Sequence, residues 1–95
     1  MMPSRPRRNS RPVAALRNIG PKSAMMLAEA GIRTLDELEA LGAVKAYARV
    51  RALRPAFASL NLLWALAAGL EDRDWRDLSA DEKDALLRQL KTFRG

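Results

Sequence analysis

The sequence predicts an all-α fold, a compact domain of five or six helices. Three observations carry this expectation. Apolar residues recur at three- and four-residue steps in every segment, and none of the segments alternates in the manner of a strand. Glycines and capping residues stand where those periodic runs begin and end. A length of 95 residues suffices for one hydrophobic core and not for two.

The elements follow in order. Pro12 suits a first helical turn, and Val13 and Leu16 would face inward on a short first helix. A hairpin of two or three residues centred on Ile19-Gly20 leads to a second helix starting near Pro21, which turns Ala24, Leu27 and Ala28 inward. Gly31 ends it with a left-handed stop. Thr34 caps a third helix with Asp36, Glu37 and Glu39 in its first turns and Leu35, Leu38 and Leu41 on one face, closed by Gly42. The fourth helix steps through Val44, Tyr47, Val50 and Leu53, carries Lys45, Arg49, Arg51 and Arg54 mostly on its other faces, and stops at Pro55. Ser59 caps a fifth helix, Leu60 to about Leu70, that is apolar nearly all round and is therefore expected at the centre. Gly69 places its end close by. A polar turn over residues 71–78 would fold Trp75 and Leu78 back onto the core. Ser79-Ala80-Asp81-Glu82 then forms a capping box for a last helix that buries Leu86, Leu87, Leu90 and Phe93. Trp64 and Trp75 read as core aromatics, and Met25 and Met26 as core or interface filler.

Charge divides the chain. Six of the 17 basic residues, Arg5, Arg7, Arg8, Arg11, Arg17 and Lys22, lie in residues 1–22 with no acid, leaving 11 basic against 11 acidic groups in the rest, so the net charge of +6 belongs to the N-terminus. Residues 1–11, with Pro3, Pro6, Ser4, Asn9 and Ser10 and no apolar period, read as a disordered basic arm ahead of a helical domain over residues 12–95. The chain has no Cys and no His. Thiol nucleophiles, Ser/His triads, Cys/His zinc sites and disulfides are therefore excluded, and the expectation is a protein that is not an enzyme and needs no cofactor or metal. The acids Asp72, Asp74, Asp77, Asp81, Glu82 and Asp84 lie among Arg73, Arg76 and Lys83, the pattern of a solvated, charge-balanced surface. The longest apolar run, Leu62 to Ala68, is far short of a membrane span, and no signal-like segment occurs. A cytoplasmic protein without membrane contact is expected.

The hairpin is the candidate binding feature. A helix N-terminus offers unpaired amides and a positive dipole end to an anion, Lys22 adds a full charge, and the natural anion is a phosphate. The candidate nucleic-acid site is therefore Asn18, Gly20, Lys22 and Ser23, with Arg5, Arg7, Arg8 and Arg11 supplying sequence-blind attraction. The alternative is structural: Ile19 plugs the core, Gly20 and Pro21 make the turn, and Lys22 is solvated. The arm and the cations of the fourth helix likewise have a solubilising reading beside the nucleic-acid one.

Five spaced motifs carry a family resemblance. Asn18-Ile19-Gly20-Pro21-Lys22-Ser23, Ala30-Gly31-Ile32 with Thr34-Leu35 and Leu38, Leu41-Gly42-Ala43-Val44 with Ala46-Tyr47, Ser59 to Leu66, and Trp75-Arg76 with Leu78 occur in that order. Together, over roughly residues 12–93, they resemble the C-terminal domain of the TfoX/Sxy competence-regulator family, and more widely helix-hairpin-helix modules. The resemblance implies a helix-hairpin-helix-like N-terminal half and a role in bacterial transcription regulation, where full-length members place a separate α/β domain first. The expectation is a stand-alone copy of the C-terminal domain. DNA-binding hairpins of the wider class resemble Gly-hydrophobic-Gly. Here Asn18 replaces the first glycine, tolerating a left-handed turn while narrowing the approach, and Pro21 removes one amide. The expectation is a non-catalytic accessory module in transcription regulation or DNA transactions, with duplex DNA as partner. The alternative is a protein-interaction module that docks another regulator or a second copy, as a monomer or weak homodimer, through the same helical surface or an exposed part of the apolar fifth helix.

Overall fold

The computed structural model describes residues 11–93. Arg5, Arg7 and Arg8, and with them most of the expected basic arm, fall outside the described residues. Five α-helices and two short 3-10 turns make up the described chain: α1 (Pro21–Glu29), α2 (Leu35–Leu41), α3 (Ala43–Leu53), α4 (Leu60–Leu70) and α5 (Ala80–Thr92), with 3-10 turns at Val13–Ala15 and Trp75–Asp77. The only sheet-like pairing among the described residues is one antiparallel bridge between Pro12 and Thr34. It is flanked by bonds from Val13 N to Arg33 O and from Leu35 N to Arg11 O, 3.0 and 2.9 Å. These bonds lay the start of the described chain along the link between α1 and α2.

Most boundaries follow from capping chemistry. Gly31, at φ +86°, ends α1 in a Schellman arrangement in which the Ile32 and Gly31 amides reach the Leu27 and Ala28 carbonyls at 2.8 and 3.0 Å. Capping boxes start α2, from Thr34 and Glu37, and α5, from Ser79 and Glu82. Gly42, at φ +87°, turns α2 directly into α3. Ser59 occupies the N-cap of α4, although its side chain makes no capping hydrogen bond.

The apolar helix α4 lies at the centre, with Leu62 to Leu66, Ala68 and Gly69 buried. It packs on α3 and on the second 3-10 turn; α3 also receives α1, α2 and α5. Leu27, Ile32, Leu38, Val50, Leu63 and Leu66 are sealed from solvent. Each such side chain contributes about 1.5–3 kcal/mol of burial. Tyr47 is buried on α3 and donates its hydroxyl to the Ala58 carbonyl at 2.8 Å, holding the α3–α4 link against the core.

Three expectations about the helices need correction. The expected short first helix is only a single turn of 3-10 helix, Val13–Ala15, although Val13 and Leu16 are buried as expected; the Pro12–Thr34 bridge precedes it and the backbone is extended again at Leu16. Leu53, expected inside, is 55% exposed at the last position of α3. In α5 only Leu90 is fully buried, whereas Leu86, Leu87 and Phe93 are half-buried against the core margin.

Candidate nucleic-acid interface

The turn between Leu16 and Pro21 owes its path to two residues. Asn18 adopts φ +77°, a left-handed conformation that Asn accepts better than most side chains. Its amide then points inward. Nδ2 donates to the Arg73 carbonyl at 2.8 Å and, at 3.5 Å, to that of Ala65, while Oδ1 accepts from the Trp75 amide at 3.4 Å. Asn18 therefore ties the turn to the middle of α4, to the link that follows it and to the second 3-10 turn.

The same turn presses against α4 at Gly69. A Cβ there would meet the Arg17 carbonyl oxygen at 2.6 Å and Leu16 side-chain carbons at 2.9 Å. Absence of a side chain at Gly69 is what lets the two backbones touch. Arg17 is exposed and donates to the Asp72 carbonyl at 3.1 Å, adding a third tie between these segments.

Gly20 lies on the outer side. It is the N-cap of α1, with φ −90° and ψ 176°, and nothing comes within 4 Å of a Cβ built on it. The turn thus takes its left-handed residue at Asn18, and Gly20 holds an extended conformation open to any residue. Pro21 follows at the first helical position with no amide to offer, and the Ala24 amide is satisfied by the Gly20 carbonyl at 3.0 Å. Among the described residues no protein group accepts from the Lys22 or Ser23 amides. Two donors therefore remain at this end of α1.

Lys22 is exposed, and its Nζ lies 4.6 Å from the centroid of Phe57 in the α3–α4 link. Phe57 is itself 51% exposed. One turn further along α1, Met25 is 58% exposed, and at the helix end Glu29 pairs with Arg54 at 2.8 Å. That pairing holds the Glu29 carboxyl below its usual range. Lys22, Met25 and Glu29 consequently form one outer stripe of α1, abutting Arg54 and Phe57.

Of the nominated site residues, the structure brings Gly20, Lys22 and Ser23 together at the exposed start of α1, and turns the Asn18 side chain away from them into a structural role. Arg11 is exposed, and its carbonyl is held by Leu35. Periodicity alone does not single out Phe57 and Met25 as surface residues. The available signal is an aromatic between Pro55 and Ser59, in a link too short to have its own core.

Part of the acidic segment after α4 is paired with its own arginines. Arg73 reaches Glu82 at 2.6 and 3.1 Å and Glu71 at 2.9 Å, and also donates to the Asp77 carbonyl. Its guanidinium, with the Ser79 amide, holds Glu82 down to about 2. Arg76 does the same for Asp74, also to about 2. Carboxylates so paired are ionised throughout the neutral range and function as structural clamps.

A family model described as the TfoX C-terminal domain matches residues 9–90. A crystal structure of an uncharacterized protein from Listeria monocytogenes superposes with a TM-score of 0.75 at 25% identity, covering 88% of this chain and 98% of that one. No curated protein matches the chain.

Proposed function

The chain belongs to the TfoX C-terminal domain family, and from that membership we propose that it is a non-catalytic accessory module in bacterial transcription regulation or DNA transactions, contacting duplex DNA through its basic N-terminal segment and the start of α1. The family carries a regulatory or DNA-related role. The observation that supports duplex DNA in particular is the placement of the entire +6 surplus in residues 1–22, where no acid occurs. That stretch ends at Lys22, which with Ser23 offers two open amides and one ammonium suited to a phosphate oxygen. Contacts of this kind are strongly salt dependent and read no sequence.

The test is fluorescence anisotropy of a labelled duplex with the full chain, titrated at several salt concentrations. Replacing Arg5, Arg7, Arg8 and Arg11 together by Gln is expected to reduce the salt slope by about 0.9 for each phosphate that is no longer neutralised. A slope and affinity unaffected by the four replacements would refute the assignment.

A second reading, a protein-docking module, is favoured by the exposure of Met25, Leu53, Phe57 and Leu60 at 43–58%. Leu60 is also the exposed first residue of α4, which is buried from Leu62 to Leu66 and at Ala68 and Gly69.

A further inference from the structure

A trough of about 680 Å³ runs between the end of α3, the start of α4 and the C-terminal half of α5. Its floor is apolar. Leu87, Leu90 and Phe93 follow one another at three-residue steps along α5 and its C-cap, and Leu60 of α4 faces them across the trough. Leu60 is 43% exposed although it opens a helix that is buried along most of its length.

The rim is cationic. Arg51, Arg88 and Lys91 line it against a single acid, Asp84. On other faces Arg54 pairs with Glu29, Arg73 with Glu71 and Glu82, and Arg76 with Asp74. Among the described residues, Arg51, Arg88 and Lys91 enter no ion pair. Arg51 instead lies against the Tyr47 ring, 5.6 Å from its centroid.

We infer that this trough docks an acidic amphipathic helix of a partner protein. The inference deepens the protein-docking reading and rests on it. An apolar floor between cationic walls selects a ligand with apolar side chains on one face and carboxylates flanking them. A helix that repeats apolar anchors at i, i+3 or i+4, and i+7 meets both demands. Its anchors would cover Leu60, Leu87 and Phe93, and its carboxylates would reach Arg51, Arg88 and Lys91. Duplex DNA would use the rim and leave the floor uncovered. A second copy of this chain would need to present such a face, and the acidic helix α2 already turns its Leu35 and Leu38 into its own core.

The experiment uses the isotopically labelled full chain and three synthetic 18-residue peptides. The first is helical, with Leu on one face and Glu on the flanks; the second has the same composition with the Leu positions scrambled; the third has Lys in place of Glu. The expected result is saturable binding of the first, at least tenfold weaker binding of the other two, and amide shift changes centred on Leu60, Leu87 and Phe93. Arg88→Glu with Lys91→Glu should weaken the first peptide at least tenfold, and Leu60→Ser, at an already exposed position, several-fold. Equal binding of the scrambled peptide, or indifference to these substitutions, would overturn the trough as a docking site. Shifts confined to Lys22, Met25 and Phe57 would overturn it too and leave the protein-docking reading standing. Binding of none of the three peptides would count against both, as would shifts at the trough on adding duplex DNA but not peptide.

Discussion

Gly69→Ala is a sharp test of how the turn before α1 is held. In an ordinary helix the substitution stabilises, by up to about 1 kcal/mol, because alanine loses less backbone entropy than glycine. Here the new Cβ would stand 2.6 Å from the Arg17 carbonyl oxygen and 2.9 Å from Cγ and Cδ2 of Leu16. The Leu16 side chain can rotate; the Arg17 carbonyl belongs to a backbone fixed by Asn18 and Arg17 on both sides of the contact. Overpacking of this kind costs about 1–3 kcal/mol. Because Gly69 is the penultimate residue of α4, the propensity gain falls at the low end, and the net effect should be a loss of about 1–2 kcal/mol. For a domain of this size the melting temperature should fall by about 4–8 °C for each kcal/mol. Thermal and urea denaturation followed by circular dichroism would read it directly. An unchanged or raised melting temperature would show that the turn moves off α4 without cost, and the close-approach argument would fail.

Gly31→Ala should cost about 1 kcal/mol, because φ +86° strains a side chain, whereas Gly20→Ala should leave the urea midpoint nearly unchanged. Equal effects at the two glycines would contradict the backbone assignment. Asn18→Ala should destabilise by about 2 kcal/mol, combining left-handed strain with removal of the bonds to Arg73 and Trp75. Asn18→Gly, which restores the conformation without the bonds, should recover part of that stability in the same assay. Glu82 has its folded pKa lowered from 4.5 to about 2, so its contribution is full above the unfolded value and is lost as pH falls through about 2. Stability measured between pH 5 and pH 2 should therefore fall less steeply in Glu82→Gln than in the parent chain, and parallel profiles would exclude the Arg73 clamp as the cause.

Much of this architecture is legible in the sequence because it rests on local chemistry. Capping boxes at Thr34 and Ser79, the left-handed glycines at 31 and 42, and Pro21 at the start of α1 each act within four residues of themselves. Leu60–Leu70, apolar nearly all round, likewise announces a central helix. The features that are not legible are tertiary in origin. Gly69 looks like a weak helix end, but its function is set by Arg17, more than fifty residues earlier. Asn18 looks like a turn residue open to solvent, and the partners that draw its amide inward, Arg73 and Trp75, lie equally far along the chain. The short 3-10 turn at Val13–Ala15 reflects the bridge to Thr34, which no local pattern encodes. Leu53 fits the apolar period of α3 yet stays exposed, since periodicity identifies a face and not where its cover ends.

The proposal that basic N-terminal residues and the start of α1 meet duplex DNA is tested most directly by titrating a short duplex into the labelled full chain and following backbone amide shifts. The account predicts changes at Lys22, Ser23 and Arg17 that saturate together and vanish at high salt, with Leu60 and Phe93 unmoved. Shift changes absent from the α1 start, or centred on the α3–α5 trough instead, would contradict it.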